Sequence, residues 1–175
     1  MNVKLTEKIK KIKLLILDVD GVLTKGDIIL DDKGKEIKVF NVQDGFGIVL
    51  FQRAGLKTAI LSARSSGAVT ARAKDLKMNA ICQDAYPKTA AYRKLLRRFK
   101  MKDEQVCFVG DDLPDMEILI KVGFSVTVPN AASEVKKKAD YITKRKGGCG
   151  AVREVIELIL KTQKKWSAIL RKYET

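Results

Sequence analysis

Apolar runs alternate with amphipathic stretches along most of this chain, and the alternation predicts its architecture. Residues 12–19 form an apolar-rich run, Ile12 to Val19. Shorter runs follow at Lys57 to Leu61, Asn79 to Gln83, Gln105 to Val109, Phe124 to Val128 and Tyr141 to Thr143. Runs of this length bounded by turn residues read as strands buried on both faces. Helical patterns lie between them. Asp44 to Ala54 ends before Gly55, a good residue to follow a helix. Ser66 to Leu76 comes next. Pro87 to Phe99 carries Tyr92, Leu95, Leu96 and Phe99 on one face, with Pro87 suited to the first turn. Asp112 to Val122 ends before Gly123, and Ala131 to Lys138 is short. From Gly150 onward, Val152, Val155, Ile156, Ile159, Trp166 and Ile169 keep helical spacing into the tail.

Strands alternating with helices predict an α/β fold with a mostly parallel sheet and helices on both faces. One stretch breaks the rhythm. Asp27 to Phe40 reads as two short strands around Asp31-Asp32-Lys33-Gly34, the signal of a hairpin turn. It follows the first strand, where an insert stands over the end of a sheet. Without internal repeats, low-complexity segments or a linker, the expectation is a single domain over residues 1–175. The hairpin insert would span about 27–40 and a surface tail helix about 164–175.

Composition narrows the chemistry. The 175 residues contain no histidine, which removes Ser-His-Asp and Cys-His pairs and His-based zinc sites. Proton transfer is left to carboxylates, lysine, tyrosine or cysteine. Cys82, Cys107 and Cys149 are odd in number and far apart, so neither a disulfide framework nor a zinc site is expected. Cys107, inside Val106-Cys107-Phe108-Val109, reads as a small core residue. No apolar run approaches the ~18 residues of a membrane span, and residues 1–13 are polar and basic. The expectation is a soluble cytoplasmic protein with no membrane partner.

The net charge is +14. Such a surface attracts nucleic acid or small anions, or is simply solvated lysine. The basic residues lie along helical faces with few interleaved aromatics and no recognised nucleic-acid motif, so no nucleic-acid partner is expected.

The candidate chemistry sits at the ends of the predicted strands. Asp18 and Asp20 follow the first, in Asp18-Val19-Asp20-Gly21-Val22-Leu23-Thr24. Ser62 ends the second, followed by Ala63-Arg64; Lys88 opens the helix after the third. Gly110-Asp111-Asp112 ends the fourth, with Asp115 one turn on. Ligands of open parallel sheets bind beyond the carboxyl ends of the strands, so these residues face one edge. Clustered carboxylates repel unless a cation sits among them, and oxygen-only ligands favour Mg²⁺. With Mg²⁺ and Lys88 screening a phosphate, one aspartate can form an acyl phosphate. A second acid two residues on can protonate the leaving oxygen and then activate water. Gly45-Phe46-Gly47 lacks the third glycine of a dinucleotide-binding loop; its glycines fit either close helix packing or approach of a substrate.

These motifs resemble those of the haloacid dehalogenase superfamily of phosphohydrolases, over about Leu14 to Leu160. The resemblance is closest to the capless subfamily acting on 3-deoxy-D-manno-octulosonate 8-phosphate. Phe40 to Ile48, Asn130-Ala131, Ala139 to Thr143 and Gly147 to Glu154 carry it. It implies a Rossmann-like sheet, Mg²⁺ as cofactor and a small anionic sugar phosphate as substrate, in lipopolysaccharide precursor synthesis. It implies Asp18 as nucleophile and metal ligand, and Asp20 as general acid/base with a backbone carbonyl on the metal. Asp111 would be the third metal ligand. Ser62 and Lys88 would hold the phosphoryl oxygens, with Asp112 and Asp115 in support. It also implies a homotetramer in which hairpins pack together and a neighbouring subunit helps close the site. The segment near Gly147 would reach that site.

Two departures bear on the substrate. Thr24-Lys25-Gly26 stands where the subfamily often has Thr-Asp-Gly, and Ser62-Ala63-Arg64 where it often has Thr-Gly-Arg. Thr24 and Arg64 are therefore the candidate substrate-binding residues, Arg64 for a carboxylate that a guanidinium fork fits. An acylneuraminate phosphate or another small phosphate ester stays open as substrate. So does a phosphoacceptor signalling module, since receiver domains also gather acids and a lysine at a sheet edge. Asp20, placed to drive turnover, speaks for hydrolysis.

Overall fold

The computed structural model describes residues 3–174. Its main sheet has six strands: β1 (Leu14–Leu17), β4 (Lys57–Leu61), β5 (Ala80–Cys82), β6 (Val106–Val109), β7 (Phe124–Thr127) and β8 (Tyr141–Ile142). Their order is β5-β4-β1-β6-β7-β8, and every neighbouring pair is parallel. This is the doubly wound Rossmann order, in which chain direction reverses between β1 and β6 and opens a crevice there. The expected α/β class and all six expected main-sheet strands are present. β1 is shorter than the run that predicted it: after a last ladder hydrogen bond from the Asp18 amide to Val109 O, the chain turns away.

Each strand feeds both faces, since successive side chains point oppositely. Leu15 and Leu17 pack with Ile60, Val109 and Val126 on one face; Leu14 and Ile16 pack with Leu61, Val106 and Phe108 on the other. Helices α1 (Val3–Lys10), α2 (Val42–Arg53), α3 (Gly67–Asp75) and α7 (Ala151–Thr162) contribute to the first layer. Helices α4 (Lys88–Phe99), α5 (Met116–Leu119) and α6 (Ser133–Lys136) contribute to the second. Cys107 is fully buried in the first layer, as expected. Among the described residues no helix is long and apolar enough to cross a membrane.

The insert is an antiparallel hairpin of β2 (Ile29–Leu30) and β3 (Glu36–Ile37). Asp31 builds its turn: one carboxylate oxygen accepts from the amides of Lys33 and Lys35, at 3.0 and 2.7 Å. Asn41 then caps α2 by accepting from the amides of Gln43 and Asp44.

Three expectations differ from the structure. The N-terminal segment, read only as polar and basic, forms α1, with Ile9 and Ile12 buried against α7 and the sheet. Residues 112–122 are not one helix but a 3-10 turn, Leu113–Asp115, capped by the Asp112 carboxylate, followed by the short α5. The C-terminal helix stops at Thr162, Lys164 takes φ of 58°, and α8 covers only Trp166–Leu170. The tail helix expected over 164–175 is thus one short turn, and residue 175 lies outside the described residues. Gly45 and Gly47 serve helix packing: a Cβ would stand 2.1 Å from Arg72 at Gly45 and 3.1 Å from Arg153 at Gly47.

Candidate active site

The crevice between β1 and β6 holds the candidate residues. Register pairs Leu17 with Val109, so the segments leaving the two strands start side by side. The Asp18 amide still donates to Val109 O, at 3.0 Å, while its Oδ1 accepts from the Val19 amide at 2.7 Å. The chain then coils tightly, with the amides of Val22, Leu23 and Thr24 all donating to Val19 O. Gly21 makes this possible. Its φ is +82°, and a Cβ there would stand 1.9 Å from Asp111 Oδ2, so the Asp111 carboxylate lies directly against a glycine.

Lys88 opens α4 and is buried. Its Nζ lies 2.7 Å from Asp18 Oδ2 and 2.6 Å from Asp115 Oδ1. Asp115 is fully buried, and its second oxygen accepts from the amides of Asp111 and Asp112, at 3.0 and 3.3 Å. Asp115 therefore ties Lys88 to the loop that carries Asp111. Ser62 leaves β4 buried, and its Oγ accepts from the Arg64 amide at 3.2 Å. Asp18, Asp20, Ser62, Arg64, Lys88, Asp111, Asp112 and Asp115 all line one cleft of about 480 Å³.

The electrostatics leave room for a cation. Carboxylate oxygens of Asp18, Asp111 and Asp115 lie within 4.8 Å of one another. Burial first, then the Asp115 charge, pushes Asp18 up to about 7 against the pull of Lys88. Burial, then Asp18 and Asp115, pushes Asp111 up to about 7 as well. Burial alone would lower Lys88, but Asp18 and Asp115 outweigh it and hold the ammonium above its ordinary value. One lysine thus does not neutralise the cluster. Asp111 Oδ1 is buried without a hydrogen-bond partner among the described residues, a costly state unless an ion takes that lone pair. Asp115 is already engaged by Lys88 and two amides, which leaves Asp18 and Asp111 as carboxylate ligands. An all-oxygen donor set of this kind fits Mg²⁺. The Asp20 carboxylate is outside this group and faces the hairpin instead, with Oδ1 2.5 Å from Lys38 Nζ.

Thr24 is placed differently from the sequence expectation. It is buried beneath the loop rather than lining the cleft, with its Oγ1 near Val19 O at 3.4 Å and accepting from the Gly26 amide at 3.3 Å. The coiling that brings Asp18 and Gly21 into position turns Thr24 inward; Lys25, Gly26 and Asp27 form the wall. Gly147 and Gly148 do reach this region, within their own chain. A Cβ on Gly147 would stand 1.7 Å from Gly21 O, and the Gly148 amide donates to Val22 O at 2.8 Å. Asn130 links the two, donating to Gly21 O and accepting from the Gly147 amide. Sequence reasoning missed Glu36 and Lys38, which meet Asp20 and Arg64 over the cleft; their only signal was their place in the insert.

Comparison with known proteins agrees with this geometry. Residues 76–156 match the family model described as haloacid dehalogenase-like hydrolase. The chain is 41% identical over 159 residues to 3-deoxy-D-manno-octulosonate 8-phosphate phosphatase KdsC of Yersinia pestis, covering 91% of this chain and 85% of that protein. For the enzyme of the same name from Escherichia coli K12, identity is 42% over 158 residues, with 90% and 84% covered. The Moraxella catarrhalis 3-deoxy-D-manno-octulosonate 8-phosphate phosphatase, solved with magnesium, phosphate and KDO, is 40% identical. It superposes with a TM-score of 0.95 over 97% of this chain and 98% of that one. A cobalt-bound Haemophilus influenzae relative superposes at 0.87 with 36% identity, over 90% and 92% of the two chains. The chain belongs to the haloacid dehalogenase-like hydrolases, and within them to the family of 3-deoxy-D-manno-octulosonate 8-phosphate phosphatases.

Proposed function

We propose that the protein is a Mg²⁺-dependent phosphatase that hydrolyses 3-deoxy-D-manno-octulosonate 8-phosphate to the free sugar acid and phosphate, in lipopolysaccharide precursor synthesis. The observation that carries this reading is Asp18 and Asp111 converging at the switch point of the sheet, with Asp111 Oδ1 unpartnered and Lys88 buried between Asp18 and Asp115. Mg²⁺ held by Asp18, Asp111 and the Asp20 carbonyl would screen the phosphate charge and orient a phosphoryl oxygen. Lys88, held cationic by its two acids, would bind a second phosphoryl oxygen, and the Ser62 hydroxyl a third.

In this reading one Asp18 carboxylate oxygen attacks phosphorus in line with the leaving oxygen. The P–O bond to the sugar breaks as the new bond forms, and Asp20 gives its proton to the departing alkoxide. Asp20, now a carboxylate, takes a proton from a water that attacks the same phosphorus, releasing phosphate and restoring Asp18. Asp112 and Asp115 hold the loop and the lysine. Arg64, half exposed at the rim, is suited to the substrate carboxylate.

The same reading takes residues 1–175 as one cytoplasmic domain that assembles as a homotetramer. Ile29 and Ile37 support the assembly: they are paired across the hairpin on one face and both are exposed, and exposed apolar surface of that kind ordinarily meets a partner. The deciding experiment is phosphate release across eight-carbon and nine-carbon keto-acid phosphates and simple sugar phosphates. The highest kcat/KM should fall on the eight-carbon acid, vanish in EDTA and return with Mg²⁺. A better nine-carbon substrate would replace the named substrate, and no release from any ester would overturn the phosphatase.

A further inference from the structure

The hairpin carries a charged device aimed at the cleft. Along its return strand the usual alternation is inverted: Ile37 points outward and is 48% exposed, while Glu36 and Lys38 point inward. The Lys38 side chain is 2% exposed. Its ammonium lies 2.5 Å from Asp20 Oδ1 and 3.1 Å from Glu36 Oε1. The same Glu36 oxygen accepts from the Arg64 guanidinium at 2.9 Å, and Arg64 Nε stands 3.5 Å from Asp20 Oδ2. Four side chains of alternating sign thus close a ring, Asp20–Lys38–Glu36–Arg64, over the mouth of the site.

The two sides of the ring are unequal. Lys38 grips one oxygen of Asp20 at close hydrogen-bond distance from a shielded position. Arg64 reaches the other at a distance beyond ordinary hydrogen-bond range and from an exposed position. The Asp20 carboxylate, which borders the cleft, is therefore anchored by Oδ1, and Oδ2 is the less constrained oxygen. Proton transfer needs the donor oxygen within about 2.6–3.2 Å of its target, and small misplacements of such groups are expensive in rate. The Asp20 side chain is 26% exposed, so hydrogen bonds and ion pairs share in fixing its rotamer.

We infer that Lys38 is a positioning residue for the general acid/base, holding Asp20 from the hairpin so that its second oxygen meets the leaving oxygen of the substrate. Glu36 in turn holds Lys38 and Arg64 in one unit, so the hairpin orders the proton donor and the rim cation together. This rests on the reading of Asp20 as acid/base given above.

The test separates the two claims by leaving group. Proton donation matters for an alkyl phosphate such as 3-deoxy-D-manno-octulosonate 8-phosphate and little for 4-nitrophenyl phosphate, whose leaving group departs as a stable anion. kcat/KM covers the steps through that departure. Asp20→Asn should lower kcat/KM for the sugar phosphate far more than for the aryl phosphate; equal losses, or none, would overturn the acid/base reading itself. Lys38→Met should lower kcat/KM for the sugar phosphate about 10–100-fold and for the aryl phosphate by no more than a few-fold. In the Asp20→Asn background the same substitution should cost nothing further on the sugar phosphate, because residues acting as a unit are not additive. Lys38→Arg, which keeps the charge, should regain part of the loss, and Lys38→Gln serves in the cycle should Lys38→Met fail to fold. If Asp20→Asn behaves as stated but loss of Lys38 harms both substrates alike, or multiplies with Asp20→Asn, Lys38 has no positioning role.

Discussion

Replacing Lys88 by methionine tests the electrostatic frame of the site without reference to turnover. Lys88 and Asp115 are 4% and 0% exposed, and the ammonium lies 2.7 Å from Asp18 and 2.6 Å from Asp115. Methionine keeps most of the volume and removes the charge. Asp115 then keeps its two backbone amides but loses the ammonium beside it, in a position water does not reach. Breaking a buried ion pair from one side costs about 3–5 kcal/mol. For a chain of this size each kcal/mol lowers Tm by about 2–4 °C, so Lys88→Met should fall by roughly 6–20 °C. The double variant Lys88→Met/Asp115→Asn removes the stranded charge and retains an oxygen for the two amides. It should recover at least half of the loss. Urea unfolding at pH 8 in EDTA, with m unchanged, measures both quantities. A loss below about 1 kcal/mol, or a double variant less stable than the single one, would refute the view that Lys88 balances a buried acid cluster.

Three further outcomes follow from the same geometry. Asp18→Asn should lower kcat about 10⁴-fold or more with the fold intact by circular dichroism, and should take up no ³²P from labelled substrate on acid quench; substantial turnover would exclude Asp18 as nucleophile. Asp18 and Asp111, both raised to about 7, bind more protons folded than unfolded between their ordinary value of 3.8 and about 7. Their contribution to the stability of the metal-free protein therefore falls as pH rises through that window. Mg²⁺ must displace those protons, so its apparent Kd by calorimetry should rise about tenfold for each pH unit below 7 if one proton is released; an affinity flat from pH 5 to 8 would contradict the raised values. Gly21→Ala should weaken Mg²⁺ binding at least about tenfold and destabilise the fold by about 1–2 kcal/mol, because its Cβ would displace Asp111; unchanged binding by thermal shift with and without Mg²⁺ would show the loop to be more yielding than its contacts imply.

The sheet was legible in the chain because buried parallel strands are written as uninterrupted apolar runs. Lys57–Leu61 matches to the residue, and the remaining main-sheet strands differ only at their ends. Asp18, Ser62, Lys88 and Asp111 were legible for a related reason: each is a polar residue at or just beyond the end of such a run, or opening the helix that follows it, and the topology sends those ends to one edge. Where local pattern and tertiary context conflicted, the pattern failed. Helix α1 and the turn after it hide the apolar positions Leu5, Ile9 and Ile12 among five lysines of residues 1–13, and gain their hold from the layer they pack on. The register of the last helix ran on past Thr162 in sequence, but nothing periodic marks the left-handed turn at Lys164. Thr24 stood out because it opens a segment that departs from the subfamily's pattern; the coil of the preceding loop decided which way it faced. Lys38 is one of 35 basic residues, and its nearby partner Glu36 makes an ordinary i,i+2 ion pair; the partner that matters, Asp20, comes from another segment.

The pairing of Leu17 with Val109 carries a consequence for how this protein can change. The gap between Asp18 and the loop bearing Asp111 is set by main-chain ladders in the middle of the molecule, where every neighbouring position is committed to packing. The hairpin, the Arg64 rim and the Lys25-Gly26-Asp27 wall hang outside that frame on loops. Apart from Lys38, which the hairpin brings to Asp20, drift in those outer parts can retune what enters the cleft while the reacting centre stays as it is, so one scaffold can serve many esters without its chemistry being rebuilt.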